Sequence, residues 1–162
     1  MKEFDSFGKM ATHLLTLQAG MALSLHKGLD EVVTAIQKTA KEEVGHYQGA
    51  VGPFPAWAPL AASTQADRVR RGFTADDPGL RRGDMRDSIK KEVALLEGVV
   101  GSDDQNLVYF EIGTDKQPPR PVLGPAVEHN HEKIVKVLGA AAVRGILGGG
   151  AIPAHLEYDH DV

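Results

Sequence analysis

The segment Glu128-His129-Asn130-His131-Glu132 carries the residue types best suited to hold a metal ion. With zinc or manganese it would make the chain a metal-dependent hydrolase. The spacing argues against a simple version of that site. On a helix, His129 and His131 point about 200° apart, so they cannot share one ion there. Glu128 and Glu132 have the i, i+4 spacing of helical metal ligands, but two carboxylates alone are a weak signal. The competing reading is a solvated first turn of a helix, where acidic residues suit the dipole. A second concentration, His155, Asp159, His160 and Asp161, lies in the C-terminal tail. There it reads as a polar, frayed end that binds metal adventitiously at most. Ser63, Ser88 and Ser102 have no basic partner nearby in sequence, and no nucleophile elbow is present. The glycines of "ILGGGAIP" end a helix rather than open one and lack the lysine of a phosphate loop.

Arginine is the other chemistry-bearing residue that clusters. Arg68, Arg70, Arg71, Arg81, Arg82 and Arg86 fall close together, interleaved with Asp67, Asp76, Asp77, Asp84 and Asp87. A purely basic run would suit phosphates and a nucleic-acid-binding role. The near-balanced local charge instead suits salt bridges across a protein interface, or a solvated face. The lone tryptophan, Trp57, sits between Phe54, Pro55, Pro59 and Leu60. It is either an interface anchor or a clamp that packs a long loop onto the core.

The composition narrows the classes further. The chain has 162 residues, with 42% hydrophobic and 25% charged, as in one ordinary globular domain. The net charge of −4 lacks the basic surplus of a dedicated nucleic-acid binder. There is no cysteine, so disulfides, thiolate catalysis and cysteine-ligated zinc are excluded. The first residues, with Glu3 and Asp5, do not read as a signal peptide. No apolar run approaches the roughly 18 residues of a membrane span.

The elements that must position these residues follow from periodicity. Phe4, Phe7, Met10, Leu14, Leu17, Met21 and Leu25 recur at helical spacing, as do Leu29, Val32, Val33, Ile36, Ala40, Val44 and Tyr47. The first third therefore reads as two helices, or as one long helix kinked at Gly28. Residues 49–61 are a proline-rich loop. A short helix capped by Ser63 or Thr64 runs to Arg71, and residues 72–83 form another loop. After one possible helical turn from Asp84, strands are expected near 88–95, 97–102 and 107–112, the last because Val108, Phe110 and Ile112 alternate with polar-facing positions. Pro125 opens a final helix that runs to about Leu147. The expected fold is α+β: a small antiparallel sheet of three or four strands packed against a long N-terminal helix and a C-terminal helix. The expected organisation is a helical extension over 1–27, an α+β domain over 28–147 and a flexible tail over 148–162.

Several motifs become informative in order. "WAPLAASTQADRVRRG" (57–72) is followed by "GLRRGDMRDSI" (79–89), by strand-like residues ending in "VGSDD", by "VYFEIGT" (108–114) and by "PPRPVLGPA" (118–126). Over residues 28–147 this order resembles the tail-completion and virion-morphogenesis proteins of long-tailed bacteriophages, also called neck or minor tail proteins. Met85 stands where that family's Gly-x-Leu-x-x-Ser-Ile segment has leucine, and Val122 where an aromatic is common. The N-terminal helix is longer than the family core needs.

The resemblance implies a non-enzymatic structural protein of the virion, made in the host bacterial cytoplasm and needing no cofactor or membrane. It implies a ring of copies at the head–tail interface. The ring's partners would be the head–tail adaptor and the tail tube or terminator, with genome DNA passing through the lumen without specific binding. A tail terminator is the close alternative. Ring contacts are head-to-tail, so each subunit needs two complementary surfaces. The candidate interface residues are Trp57, the arginines 68, 70, 71, 81 and 82 (Arg68, Arg70, Arg71, Arg81, Arg82), and the proline bridge. In that bridge Glu111 and Thr114 close a strand, Pro119 and Pro121 stiffen the loop, and Arg120 meets a neighbour's carboxylate. Leu123 then pins the loop to the last helix. Without a partner the same stretch would be a tight strand-to-helix connection.

Overall fold

The computed structural model describes residues 4–148, so the tail cluster from His155 to Asp161 lies outside the described residues. The order is α1 (Phe7–Glu43), α2 (Ala62–Arg70), α3 (Asp84–Asp87), β1 (Lys90–Val93), β2 (Gly98–Gly101), α4 (Gln105–Ile112), α5 (Leu123–His129) and α6 (His131–Ile146). The mixed class, the long N-terminal helix and the C-terminal helix are as expected. The sheet is smaller than expected. It has two antiparallel strands, β1 and β2, closed by the Ala94 N–H bonding the Glu97 carbonyl at 2.8 Å.

The strand expected at 107–112 is instead the helix α4. Asp104 has extended backbone geometry and its side chain accepts from the Asn106 N–H at 2.9 Å, which satisfies one of the free donors of a helix start. Leu107 and Phe110, three apart, are the buried pair, while Val108 and Ile112 face solvent. The alternation of apolar residues was a coincidence of spacing, overruled by the cap and by the core's use of a helical face. Gly113 ends the helix at φ 74° and ψ −177°, a region open almost only to glycine.

Gly28 does not break the first helix. α1 runs unbroken for 37 residues, about 55 Å at 1.5 Å per residue. The expected final helix, by contrast, is divided. Asn130 lies between α5 and α6, and its side-chain amide donates to the Ala126 carbonyl and to Thr39 Oγ1, both at 2.8 Å. Pro125 is the third residue of α5, still within the first turn, where a missing N–H costs nothing.

The chain divides into two units. One comprises residues 33–92 and 99–131 and holds most of the buried apolar side chains. Val33, Ile36 and Ala40 lie on one face of α1 with Val44 just past its end, and Trp57, Met85, Ile89, Leu107, Phe110, Val122 and Ala126 complete this core. Gln37 Nε2 donates to the Ile89 carbonyl at 2.9 Å and Lys91 Nζ to Thr34 Oγ1 at 2.7 Å, tying α1 to the start of the hairpin.

The other unit comprises residues up to Val32, 93–98, and from Glu132 onward. Here α1 and α6 approach closely through small residues. A Cβ on Gly28 would lie 2.9 Å from Ala141 Cβ, and one on Gly145 would lie 2.6 Å from Met21 Cα. Ser24 Oγ donates to the Ala141 carbonyl at 2.8 Å, and His26 Nδ1 lies 2.9 Å from the Ala94 carbonyl. Among the described residues of this unit, Val32 and Ala141 are the buried apolar side chains.

The glycines of α6 should separate by position. Gly145→Ala is expected to cost about 1–3 kcal/mol, because the new methyl meets α1 backbone. Gly139→Ala, with open space around it, should gain about 0.5–1 kcal/mol from helix propensity. Thermal unfolding of the two variants checks both signs.

Candidate functional site

The proline bridge folds inward. Phe110, the last buried residue of α4, accepts the Arg120 N–H at its carbonyl, 2.7 Å away. The chain between them turns tightly, with Thr114 and Gln117 exchanging backbone hydrogen bonds at 2.8 and 3.1 Å. Gly113 makes this return possible. A Cβ there would sit 2.7 Å from the Pro119 nitrogen. Glu111 does not close a strand. Its Oε1 accepts from the Val122 and Leu123 N–H groups at 2.9 and 2.7 Å. It thereby caps the start of α5 from a distance, with its charge at the favourable end of the helix.

Arg120 is buried, 3% exposed. Its Nε and Nη2 both donate to the Ala58 carbonyl at 3.0 and 2.9 Å, and Nη2 also reaches the Pro59 carbonyl at 3.2 Å. The guanidinium carbon stands 5.9 Å from the centre of the Phe110 ring, a cation–π distance. Trp57 packs edge-on against the same ring, centres 5.3 Å apart, and its Nε1 donates to the Pro121 carbonyl at 2.9 Å. Trp57 is 5% exposed, so its indole works here as the loop clamp. Burial lowers the pKa of Arg120 from the usual arginine value, yet a guanidinium stays charged at neutral pH.

Arg68 is the second buried arginine, also 3% exposed. Its Nε donates to the Thr74 carbonyl at 2.7 Å and its Nη2 to the Leu80 carbonyl at 2.6 Å, which shapes the 72–83 loop. The surface arginines behave differently. Arg70, Arg71 and Arg81 converge on the Asp67 carboxylate at 2.5, 3.1 and 3.4 Å. The Arg70 hydrogen bond is the main reason that carboxyl is held below its ordinary value. These pairs close within the chain. Arg82 is exposed and makes no ion pair or hydrogen bond among the described residues.

A cleft of about 480 Å³ opens in this unit. Arg68, Arg81, Arg82 and Arg120 line it with Asp84 and Asp104, and Leu60, Met85, Tyr109 and Phe110 supply its apolar wall. Thr114 also borders the cleft, whereas Pro119, Pro121 and Leu123 do not. Periodicity and composition gave no sign of it, since it draws on α2, α3, α4 and four connecting segments. The available signal was the repeated arginine itself.

The metal candidates do not converge. Among the described residues, no three His, Asp or Glu side chains are grouped to hold an ion. His129 Nδ1 lies instead 2.9 Å from Glu43 Oε1. Glu43 is 4% exposed, and its Oε2 is buried without a hydrogen-bond partner. Burial pushes its pKa up to about 7, against the lowering effect of the His129 hydrogen bond, while Glu111 adds to the rise. Ser88 and Ser102 also find each other, Oγ to Oγ at 2.6 Å, across the base of the hairpin.

Arg120→Met should lose about 2–4 kcal/mol, because buried carbonyls lose a charged donor. Arg70→Gln should stay within about 0.5 kcal/mol of wild type. Urea unfolding followed through Trp57 fluorescence measures both. Glu43 keeps its proton to higher pH when folded than when unfolded, so its contribution to stability falls as pH rises from 4.5 to about 7 and then levels off. Glu43→Gln should flatten that slope and stabilise the protein above the window, on the order of 2 kcal/mol. Urea midpoints across the window check it.

No family model matches this chain, and no curated protein or solved structure matches it.

Proposed function

We propose that this chain is a structural virion protein of a long-tailed bacteriophage, joining or completing the tail at the head–tail interface as one subunit of a homo-oligomeric ring. Its neighbours in that reading are the head–tail adaptor and the tail tube or terminator, and it carries no catalytic role. The ordered motifs from Trp57 to Ala126 motivate the assignment.

The observation that carries the oligomeric part is the exposed apolar face of α1. Phe7 is 83% exposed, Leu15 66% and Leu14 55%. Phe7, Ala11 and Leu14 recur within α1 at spacings of four and three, the spacing of a seam between packed helices. A lone copy leaves this row in water at a cost of about 25 cal/mol per Å² of apolar surface. A second copy or an adjoining ring protein would cover it. Tail termination is the second reading within the same class, and the same surface serves it equally.

Electron microscopy of lysates from a phage carrying a nonsense mutation in this gene tests the role. Filled heads beside separate, complete-looking tails are expected. Tails of uncontrolled length would move the assignment to a terminator. Normal infectious particles would overturn it. In the purified protein, Phe7→Glu with Leu14→Glu should abolish self-association detected by sedimentation, with the helical circular-dichroism signal retained.

A further inference from the structure

The arginine-lined cleft has the construction of a ligand site. We propose that it binds the carboxylate side chains of an extended acidic segment of a partner protein. This goes beyond the role in the virion and stands without it.

Arg68 and Arg120 are each 97% buried by their 3% exposure, and both line the cleft. Each has two guanidinium nitrogens fixed on backbone carbonyls, so neither can swing away. In neither does Nη1 make a hydrogen bond among the described residues, and neither Nη1 is sealed from solvent, since the one sealed and unpartnered side-chain polar atom is Glu43 Oε2. Among the described residues, no carboxylate pairs with either cation. Two rigid cations, each with a donor to spare, therefore border one cavity. Arg82 adds an exposed third that makes no ion pair or hydrogen bond among the described residues.

The class of anion follows from what else is there. Asp84 and Asp104 also line the cleft. A phosphate chain, charged at every link, would meet those carboxylates. A peptide places its charges singly and offers N–H groups to Asp84 between them. Met85, Tyr109 and Phe110 give its apolar side chains a wall. Arginine forks match carboxylates in geometry and form charge-assisted hydrogen bonds about twice as strong as neutral ones.

The probe is a fluorescein-labelled, acetylated Glu-Leu-Glu-Leu-Glu peptide, titrated into the full chain. Fluorescence anisotropy reads affinity, and nitrogen-15 NMR reads the arginine Nε–H signals, of which those of Arg68 and Arg120 are hydrogen-bonded. The expected result is saturable binding that shifts both signals. It should weaken about tenfold in Arg82→Gln and about tenfold when glutamine replaces glutamate in the peptide. Arg82 is exposed and makes no ion pair or hydrogen bond among the described residues, so Arg82→Gln is expected to keep the fold, checked by its circular-dichroism signal. The proposal is overturned by absence of saturation, by equal affinity for the glutamine peptide, or by unchanged binding in Arg82→Gln. Binding that leaves both Nε–H signals in place also overturns it. Tighter binding of inorganic phosphate or short duplex DNA at the same signals would replace the peptide with a phosphate ligand.

Discussion

A buried guanidinium held by backbone carbonyls organises the larger unit. Arg120 gathers the carbonyls of Ala58 and Pro59 from one loop and the face of Phe110 from α4. Its own backbone closes on Phe110, and its neighbour Pro121 receives the Trp57 indole. Burying a charge is costly unless its donors are satisfied. Here carbonyl oxygens and a π face satisfy most of them, and the planar fork fixes the directions. Arg68 does the same for the 72–83 loop. With only two short strands, this unit has few sheet hydrogen bonds to define its loops. Side-chain forks supply backbone partners where a ladder would otherwise do so.

Carboxylates complete the same scheme from the other sign of charge. Glu111 supplies the start of α5 with an acceptor that its own N-cap residue, Val122, cannot provide. Asp104 does this locally for α4. Glu43 is the exception: one oxygen has His129, and the other has nothing. Desolvation raises its pKa, so this carboxyl makes the unit sensitive to pH near neutrality, while the Asp67 cluster at the surface is screened and contributes little.

The smaller unit is built on another principle. Its helices meet through Gly28, Ala141 and Gly145, so backbones come close without large side chains between them. Close approach of this kind gains dispersion contacts but little apolar burial. The large residues of α1's first turns consequently remain outside, at Phe7, Leu14 and Leu15. A helix whose apolar stripe is wider than its intramolecular partner has stabilisation left to gain from another chain.

Local chemistry alone determined a good part of this protein. The helical repeat from Phe7 to Val44, the loop at 49–61, the helix over 62–70 and the hairpin all follow from periodicity and turn residues, which act over a few positions. The cap at Asp104 and the stop at Gly113 were also written locally, but the alternation of Val108, Phe110 and Ile112 pointed the other way, and only packing of Leu107 with Phe110 decided between helix and strand. Gly28 shows the same limit. Glycine permits a break, yet here it permits α6 to approach, a fact that depends on a residue more than a hundred positions away. The two buried arginines were the least legible. Arg68 and Arg120 look in sequence like their solvated neighbours Arg70 and Arg71. Their difference lies in which carbonyls the fold brings within 3 Å, and that is a property of distant loops meeting rather than of any residue's own neighbours.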